Sequence, residues 1–199
     1  GVTKPGSGVL ADYVEVAWLT PAMDGLFTGA GSERRRFLDR LILCFDAEHG
    51  RRASRFERAR QQRNRLLSDD VRDNARFQGL EDVMAETGVA IAAARAEAAA
   101  ALGAISERRR ARDQASAFPW AVIAVEGTLE ANLSSMPALD VEERYKAALR
   151  SGRERDRAAG RTLEGPHRSD LVVEHGPKAM PARLCSTGEQ KALLLGLVL

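Results

Sequence analysis

Residues 80–105, LEDVMAETGVAIAAARAEAAAALGAI, decide how the middle of this chain folds. Two series of mostly apolar or small residues repeat every seven positions. The first series is Met84, Ile91, Ala98 and Ile105, and the second is Leu80, Thr87, Ala94 and Ala101. Such a seam is typical of a helix that packs along another helix. The pattern therefore predicts one long helix from Val71 to about Gln114, which Gly79, Gly88 and Gly103 weaken without ending.

The stretch before this helix, from Arg51 to Leu67, also has helical propensity. Ser68-Asp69-Asp70 resembles a helix cap between the two. We expect the two helices to fold back on each other as an antiparallel hairpin, because alanines along the seam allow close approach. This hairpin, residues 49–118, would be an arm inserted between a lobe segment, residues 1–48, and a return segment, residues 119–199.

Shorter signals surround the predicted arm. Residues 13–20 alternate apolar and polar side chains, which predicts a strand. Ser32 is the predicted N-cap of a following helix. Beyond the arm we expect strands at 121–125, 170–175 and 180–185 and helices at 139–157 and 188–199. The predicted fold class is α+β and mostly α.

Composition narrows the class of protein. Of 199 residues, 44% are hydrophobic and only 5% aromatic, which argues against an aromatic-rich β-sandwich. The two cysteines form no metal-binding pattern, so we expect no zinc site, and they fit a reducing cytoplasm. No signal peptide or uninterrupted apolar run of about 20 residues is present, so we expect no membrane segment. The chain starts without Met and stops inside the apolar run Leu193 to Leu199, so we expect an internal fragment.

Arginines crowd two places on the predicted arm. Seven lie between Arg51 and Arg65, and a second cluster lies between Arg108 and Arg112. At this density arginines can neutralise DNA phosphates without reading bases. The candidate DNA contacts are Arg51, Arg52, Arg55, Arg58, Arg63 and Arg65, and a hairpin would bring both clusters together at its base. The alternative is a solvated charged face with local acidic partners.

An acidic patch marks the predicted turn between the two helices. Its members are Asp69, Asp70, Asp73, Glu81, Asp82 and Glu86. A metal site is one interpretation. Helix-capping charge at an exposed arm tip is the favoured one, so we expect no bound metal.

The segment from Ser186 to Lys191 precedes an apolar helix and has two interpretations. Small residues and glycine let backbone N–H groups approach a phosphate, and the helix directs its positive end at that charge. The spacing of Ser186 and Glu189 equally fits a capping box, which closes an ordinary helix start. The six residues alone leave both interpretations open.

Four segments, in order along the chain, carry a family resemblance. They are Pro21–Asp39 with Arg-Arg-Arg-Phe-Leu-Asp, Gln62–Leu67 with Gln-Arg-Asn, Gly165–Leu171 with Gly-Pro-His-Arg-Ser-Asp-Leu, and Cys185–Leu199 with Cys-Ser-Thr-Gly-Glu-Gln-Lys. Together they resemble the RecF family, bacterial DNA replication and repair proteins. The sequence departs from the family pattern at Ala22 and Gly31. It departs from the generic ABC signature at Thr187 and Glu189.

The resemblance implies an ABC-type ATPase head related to SMC proteins, in which ATP and Mg²⁺ lie between two protomers. It implies that one protomer's signature contacts the nucleotide of the other, through Ser186, Thr187, Gly188, Glu189, Gln190 and Lys191. The chain has no Gly-x-x-x-x-Gly-Lys-Ser/Thr loop and ends before any Walker B acid. We therefore expect no catalytic residue in it, and neither tight ATP binding nor hydrolysis by it alone.

His167 and Arg168 belong to the Gly-Pro-His-Arg motif. General base catalysis by His167 would need a partner that the sequence does not identify. We expect the motif to be architectural, or to contact nucleotide or DNA through Arg168. His49 and His175 are expected to be surface residues.

For the whole protein, the resemblance implies a cytoplasmic role in recombinational repair, replication restart and the SOS response. It implies ATP-dependent binding to DNA, including single-stranded DNA at gaps, and a homodimer formed through ATP. The implied protein partners are RecO and RecR, with no membrane. Two alternatives stay open at this point. One is a non-enzymatic interaction module that binds a protein through its alanine-rich seam, and the other is a different SMC-like ATPase.

Overall fold

The computed structural model describes residues 25–113 and 118–198. Its α-helices are α1 (Gly31–Leu43), α2 (His49–Ser68), α3 (Asn74–Arg112), α4 (Thr128–Leu133), α5 (Ala138–Ser151), α6 (Arg153–Ala158) and α7 (Thr187–Val198). Its strands are β1 (Ala121–Glu126), β2 (Asp170–His175) and β3 (Met180–Pro181). The strand predicted at 13–20 lies outside the described residues.

Helices α2 and α3 form the predicted antiparallel pair. Residues near the end of α2 meet the start of α3, as in the contact between Arg63 and Glu81. Helix α3 starts later than expected because Asp73, not Ser68-Asp69-Asp70, is its N-cap. The Asp73 carboxylate accepts from the N–H groups of Ala75 and Arg76 at 3.0 and 3.2 Å. This bond satisfies donors that have no partner inside the helix.

Helix α3 is the central helix of the fold, because it packs against several other elements as well as against α2. One core contains Met84, Val89 and Ile91 of α3 together with Phe56 and Val141. A second core takes Ala98 of α3 and adds side chains from α1, the sheet and α7. The seam stops being buried beyond Ala98, since Ala101 and Ile105 are exposed. The predicted domain boundaries at 48 and 118 stay predictions, and α3 joins both cores.

The same helix is long and apolar enough to cross a membrane by length and composition alone, with a mean hydropathy of 1.5 over 18 residues. The sequence has no uninterrupted apolar run of this length, so the high mean hydropathy of the helix was not predicted. Glu81 and Arg95 of α3 are buried in ion pairs. Within the chain, the helix contributes to both cores, and 39% of its most apolar 18-residue window is buried.

The three strands form one antiparallel sheet in the order β1-β2-β3. Ala121 pairs with His175 and Glu126 with Asp170, so β1 and β2 match along their full length. Alternate residues of β2 are buried, including Leu171 and Val173. The strand predicted over 180–185 was too long. It ends at Pro181, and a 3₁₀ turn, Ala182–Leu184, follows.

Several predicted helix boundaries were wrong. Helix α1 begins at Gly31 after the N-cap Ala30, which makes no side-chain bond, so Ser32 lies inside the helix. The helix predicted over 139–157 is divided at Gly152 into α5 and α6. The short helix α4 was not predicted.

The apolar run at the end of the chain is largely buried. Leu193, Leu194 and Leu197 of α7 are at most 5% exposed and pack in the core that contains Ala98. Helix α3, strand β1 and the 3₁₀ turn Ala182–Leu184 pack against α7.

Candidate functional site

The loop from Ser186 to Gln190 is closed by a capping box. The Glu189 carboxylate accepts from the N–H and the hydroxyl of Ser186, at 3.0 and 2.8 Å. The Glu189 N–H donates back to the Ser186 hydroxyl at 3.4 Å. The Gln190 N–H donates to the Ser186 carbonyl at 2.9 Å. The capping interpretation is therefore realised in the fold.

This box leaves two donors unused. The N–H groups of Thr187 and Gly188, the first two of α7, have no acceptor in the described part of the chain. Ser186, Thr187 and Gly188 are all exposed, and a Cβ added to Gly188 would meet no atom within 4 Å. The first N–H groups of a helix point along its axis at its positive end. The loop therefore offers free donors to open space.

Glu189 is held from a second side by residues that the sequence did not single out. The Lys178 ammonium lies 2.5 Å from Glu189 Oε1, and the His175 Nε2 lies 4.0 Å from the same oxygen. The Lys178 ammonium and the Ser186 donors lower the pKa of Glu189 to about 2. Because Lys178 lies in a 3₁₀ turn outside any periodic element, no sequence signal indicates this contact.

Gln190 and Lys191 differ in their placement. The Gln190 side chain is 6% exposed and donates to the Cys185 carbonyl at 2.9 Å. Its amide nitrogen therefore holds the loop from inside, and the expected contact of Gln190 with nucleotide stays a prediction. Lys191 is exposed on α7.

The Gly-Pro-His-Arg loop is packed against α2 and α5. The His167 Nε2 lies 3.0 Å from the Thr162 carbonyl, and its Nδ1 is buried without a hydrogen-bond partner. Burial lowers the pKa of His167 to about 4. The Tyr145 hydroxyl donates to the Glu164 carbonyl at 2.9 Å. The surroundings of His167 are those of a neutral, structural histidine.

Two of the resembling segments, the Arg-Arg-Arg-Phe-Leu-Asp and the Gly-Pro-His-Arg segments, meet at the start of β2, and Arg95 of α3 contacts both. Arg34 donates to both carboxylate oxygens of Asp170, at 2.8 and 2.6 Å. Arg35 donates to the Ser169 carbonyl at 2.8 Å. Arg95 binds both oxygens of Asp39 at 2.9 Å and donates to the Pro166 carbonyl at 2.6 Å. Arg34 and Arg35 therefore hold α1 against the start of β2.

Two histidines expected at the surface are buried. His49 is 0% exposed, and its Nε2 lies 2.8 Å from Asp39 Oδ1. His175 is 5% exposed at the end of β2. Both expectations were wrong because each ring closes a contact between distant segments. Arg168, by contrast, is exposed.

Arg63 cannot be the DNA contact that its neighbours suggested. Its side chain is 0% exposed and binds Glu81, Asp156, Thr162 and the Leu149 carbonyl, at 3.1, 2.7, 2.9 and 2.7 Å. Glu81 is likewise 2% exposed, so it is no part of an exposed arm tip. The burial of both charges at one junction is the physical reason for these two corrections.

The other candidate arginines divide by helical face. Arg51, Arg55, Arg58 and Arg65 are exposed, and their spacing of three, four or seven places them on one side of α2. Arg52 is half-buried and paired with Asp46. Three of the exposed four have acidic neighbours, Glu48, Glu86 and Asp69. Arg58 has no acidic partner in the parts of the chain that the structure covers.

The two arginine clusters do not meet, contrary to expectation. Arg95 and His49 both bind Asp39, so the start of α2 lies beside Arg95. Because α3 continues past this point, Arg108 lies about 20 Å further along it at 1.5 Å per residue. The unequal lengths of the helices, 20 and 39 residues, separate the clusters.

Within residues 25–113 and 118–198, no group of three acidic, His or Cys side chains could hold a metal.

The chain is similar over nearly its whole length to bacterial DNA replication and repair proteins. No protein-family model matches the chain. The DNA replication and repair protein RecF of Mesorhizobium japonicum is 59% identical over 199 residues, which are 100% of this chain and 52% of that protein. The protein of the same name from Brucella abortus (strain 2308) is 54% identical over 190 residues, 96% of this chain and 49% of that protein.

Two solved structures have the same fold. They are structures of the recombination mediator protein RecF in the RecFOR pathway, one with ATPrS and one with ATP. Their TM-scores are 0.76 and 0.75 at 20% and 19% identity, over 90% of this chain and 48% of each of theirs. The mostly helical α+β fold class is confirmed. The chain spans about half the length of the curated relatives it matches, and it belongs to the RecF family of DNA replication and repair proteins.

Proposed function

We propose that this chain supplies the signature segment of an ATP-dependent DNA-binding protein of recombinational repair. In this proposal, Ser186, Thr187 and Gly188 face the terminal phosphate of ATP held by a second copy of the protein. One observation supports it most strongly: Thr187 and Gly188 are exposed at the start of a 12-residue helix, and their N–H groups have no acceptor among the described residues.

Phosphate recognition and capping are compatible at this loop because they use different groups. The box uses the N–H groups of Ser186 and Glu189. The N–H groups of Thr187 and Gly188 and the positive end of the helix stay available for an anion. The solved RecF structures with ATP and ATPrS support a nucleotide for the family. The phosphate-binding loop, the Mg²⁺ ligands and any catalytic residue would belong to the other half of the protein.

DNA binding is assigned to the exposed face of α2. Four exposed arginines lie on one side of that helix: Arg51, Arg55, Arg58 and Arg65. Arginines in this arrangement can contact successive phosphates without reading the base sequence. Single-stranded DNA is one proposed form of this ligand. The proposed partners are a second copy of the protein, bound through ATP, and the proteins RecO and RecR. The solved RecF structures, which belong to the RecFOR pathway, support RecO and RecR as partners. The site of action is the cytoplasm.

The experiment uses the full-length protein and measures ATP-dependent self-association and turnover. Gly188→Ala should fold at least as stably as the unmodified protein, because alanine favours the helix by about 1 kcal/mol and its methyl enters open space. That methyl lies where a phosphate would approach, so we expect at least about tenfold weaker ATP-dependent self-association.

Gly196→Ala is the matched control. Gly196 lies near the other end of α7, and a Cβ there also meets open space. It should leave self-association unchanged. If Gly188→Ala and Ser186→Ala both leave ATP-dependent self-association intact, the loop is only a helix cap and the proposal is wrong. Turnover by the 199-residue chain alone that Ser186→Ala abolishes would also contradict it.

The alanine-rich seam that the interaction-module alternative would use to bind a protein is mostly covered in this fold. Of the three seam alanines proposed for it, Ala98 is 3% exposed and Ala94 packs against the same core. Only Ala101 stays exposed. The seam is thus used within the chain.

A further inference from the structure

The signature loop carries a negative charge where the proposed function needs to receive a phosphate. The Glu189 carboxylate takes the only hydroxyl proton of Ser186, at 2.8 Å. It also lies one residue beyond Gly188. An uncompensated carboxylate this close would repel a phosphate and compete with it for the Ser186 proton. The loop therefore needs a cation that stays with Glu189.

Lys178 meets this requirement. Its ammonium lies 2.5 Å from Glu189 Oε1, on the side of the carboxylate that does not contact Ser186. The turn Gly176–Lys178 holds it, because the Lys178 N–H donates to His175 Nδ1 at 3.3 Å. The His175 ring is buried and faces the same carboxylate oxygen at 4.0 Å.

Lys178 is also available to solvent, with its side chain 50% exposed, whereas the Glu189 side chain is 27% exposed. A lysine at this exposure is not required by the core. The ionisable groups that act on Glu189 here are Lys178, His175 and the Cys185 thiol. Of these, only Lys178 carries a permanent positive charge at neutral pH.

We infer that Lys178 is a positioning residue for nucleotide binding in trans, which offsets the Glu189 charge and keeps that carboxylate turned away from the phosphate. The inference rests on the proposed function of the signature loop. It assigns a role to the turn after β2, which lies outside the signature segment. Without Lys178, the carboxylate is free to face the incoming phosphate.

The test is a double-mutant cycle in the full-length protein, with the ATP concentration for half-maximal self-association as the readout. Lys178→Met should raise this concentration on the order of tenfold, as expected for loss of a charge-assisted contact. Lys178→Arg should stay close to the unmodified protein. In a Glu189→Gln background, Lys178→Met should have almost no effect, because the charge that Lys178 offsets is gone.

Arg183→Met is the matched control, since Arg183 is an exposed cation between Lys178 and the loop, and its removal should leave the ATP concentration unchanged. An equal effect of Lys178→Met in both backgrounds, or no effect in either, overturns the inference. Thermal unfolding of each variant identifies loss of fold, and Lys178→Gln replaces Lys178→Met if the latter does not fold.

The two proposals fail separately. If Ser186→Ala and Gly188→Ala also have no effect, the proposed function itself is wrong. If those variants weaken self-association and Lys178→Met does not, only the role of Lys178 is rejected.

Discussion

The Arg63 guanidinium donates to the Asp156 carboxylate at 2.7 Å, although 93 residues of chain separate them. Both side chains are buried, at 0% and 2% exposed. The same guanidinium binds Glu81, which Arg153 also contacts at 2.8 Å. This junction ties α2 to α3, α5 and α6, and it makes Arg63 a structural residue among arginines proposed to bind DNA.

Replacing Arg63 should therefore destabilise the protein strongly. Arg63→Met leaves two buried carboxylates short of a partner, and we expect a loss of about 3–5 kcal/mol in the free energy of unfolding. Urea denaturation of the full-length protein measures it. Arg58→Met on the exposed face of the same helix is the control, with a change within about 0.5 kcal/mol. Equal losses would show that the Arg63 junction is not rigidly formed.

The exposed arginines of α2 should have the opposite pattern. Arg55→Ala combined with Arg58→Ala should leave stability unchanged and weaken DNA binding. If each contacts one phosphate, the slope of log affinity against log salt concentration should fall by roughly 2. Filter binding or fluorescence anisotropy over a salt series measures this slope.

A double variant of Arg144→Ala and Arg150→Ala removes two exposed arginines from α5 and serves as the charge-matched control. It should leave the slope unchanged. An absence of DNA affinity at low salt, or equal slopes for both double variants, would exclude the α2 face as a DNA contact.

His167 should make stability depend on pH in a defined window. Burial lowers its folded-state pKa to about 4, against about 6.5 in the unfolded chain. The unfolded state then binds more protons between these values, so the stabilisation is complete above pH 6.5 and is lost as pH falls towards 4. The loss from this group is at most about 3.5 kcal/mol, at about 1.4 kcal/mol per pKa unit.

His167→Gln tests this window because it does not titrate and keeps a side-chain donor for the Thr162 carbonyl. Unfolding free energies at pH 7 and 4.5 should differ less for this variant than for the unmodified protein. Identical pH dependence of the two proteins would mean that His167 is not buried as the structure has it.

Gly165 should tolerate no side chain. Its φ of +130° is a conformation that L-residues rarely adopt, and a Cβ there would overlap the Tyr145 hydroxyl. We expect Gly165→Ala to cost about 2 kcal/mol or more in unfolding free energy. Gly160→Ala, with φ +65° and open space around it, isolates the backbone contribution and should cost about 1 kcal/mol.

The overlap can be separated from backbone strain in one further variant. Tyr145→Phe removes the overlapping hydroxyl, so Gly165→Ala should cost less in that background than in the unmodified protein. The same cost in both backgrounds would mean that strain alone forbids alanine at this position.

Local patterns in the sequence were enough to predict the long helix, the strand at 170–175 and the capping box at Ser186 and Glu189. Each depends on neighbours within seven residues, and the chemistry of such neighbours is visible in order along the chain. The four resembling segments were also read correctly as belonging to the RecF family.

Burial and charge partners were decided only by the tertiary structure. Arg58 and Arg63 lie on one arginine-rich helix, yet one faces solvent and the other is enclosed by carboxylates. Periodicity identifies which residues share a face, but not which face a distant segment will cover. The contact between Lys178 and the signature loop was decided in the same way, because the turn after β2 brings the Lys178 ammonium to Glu189.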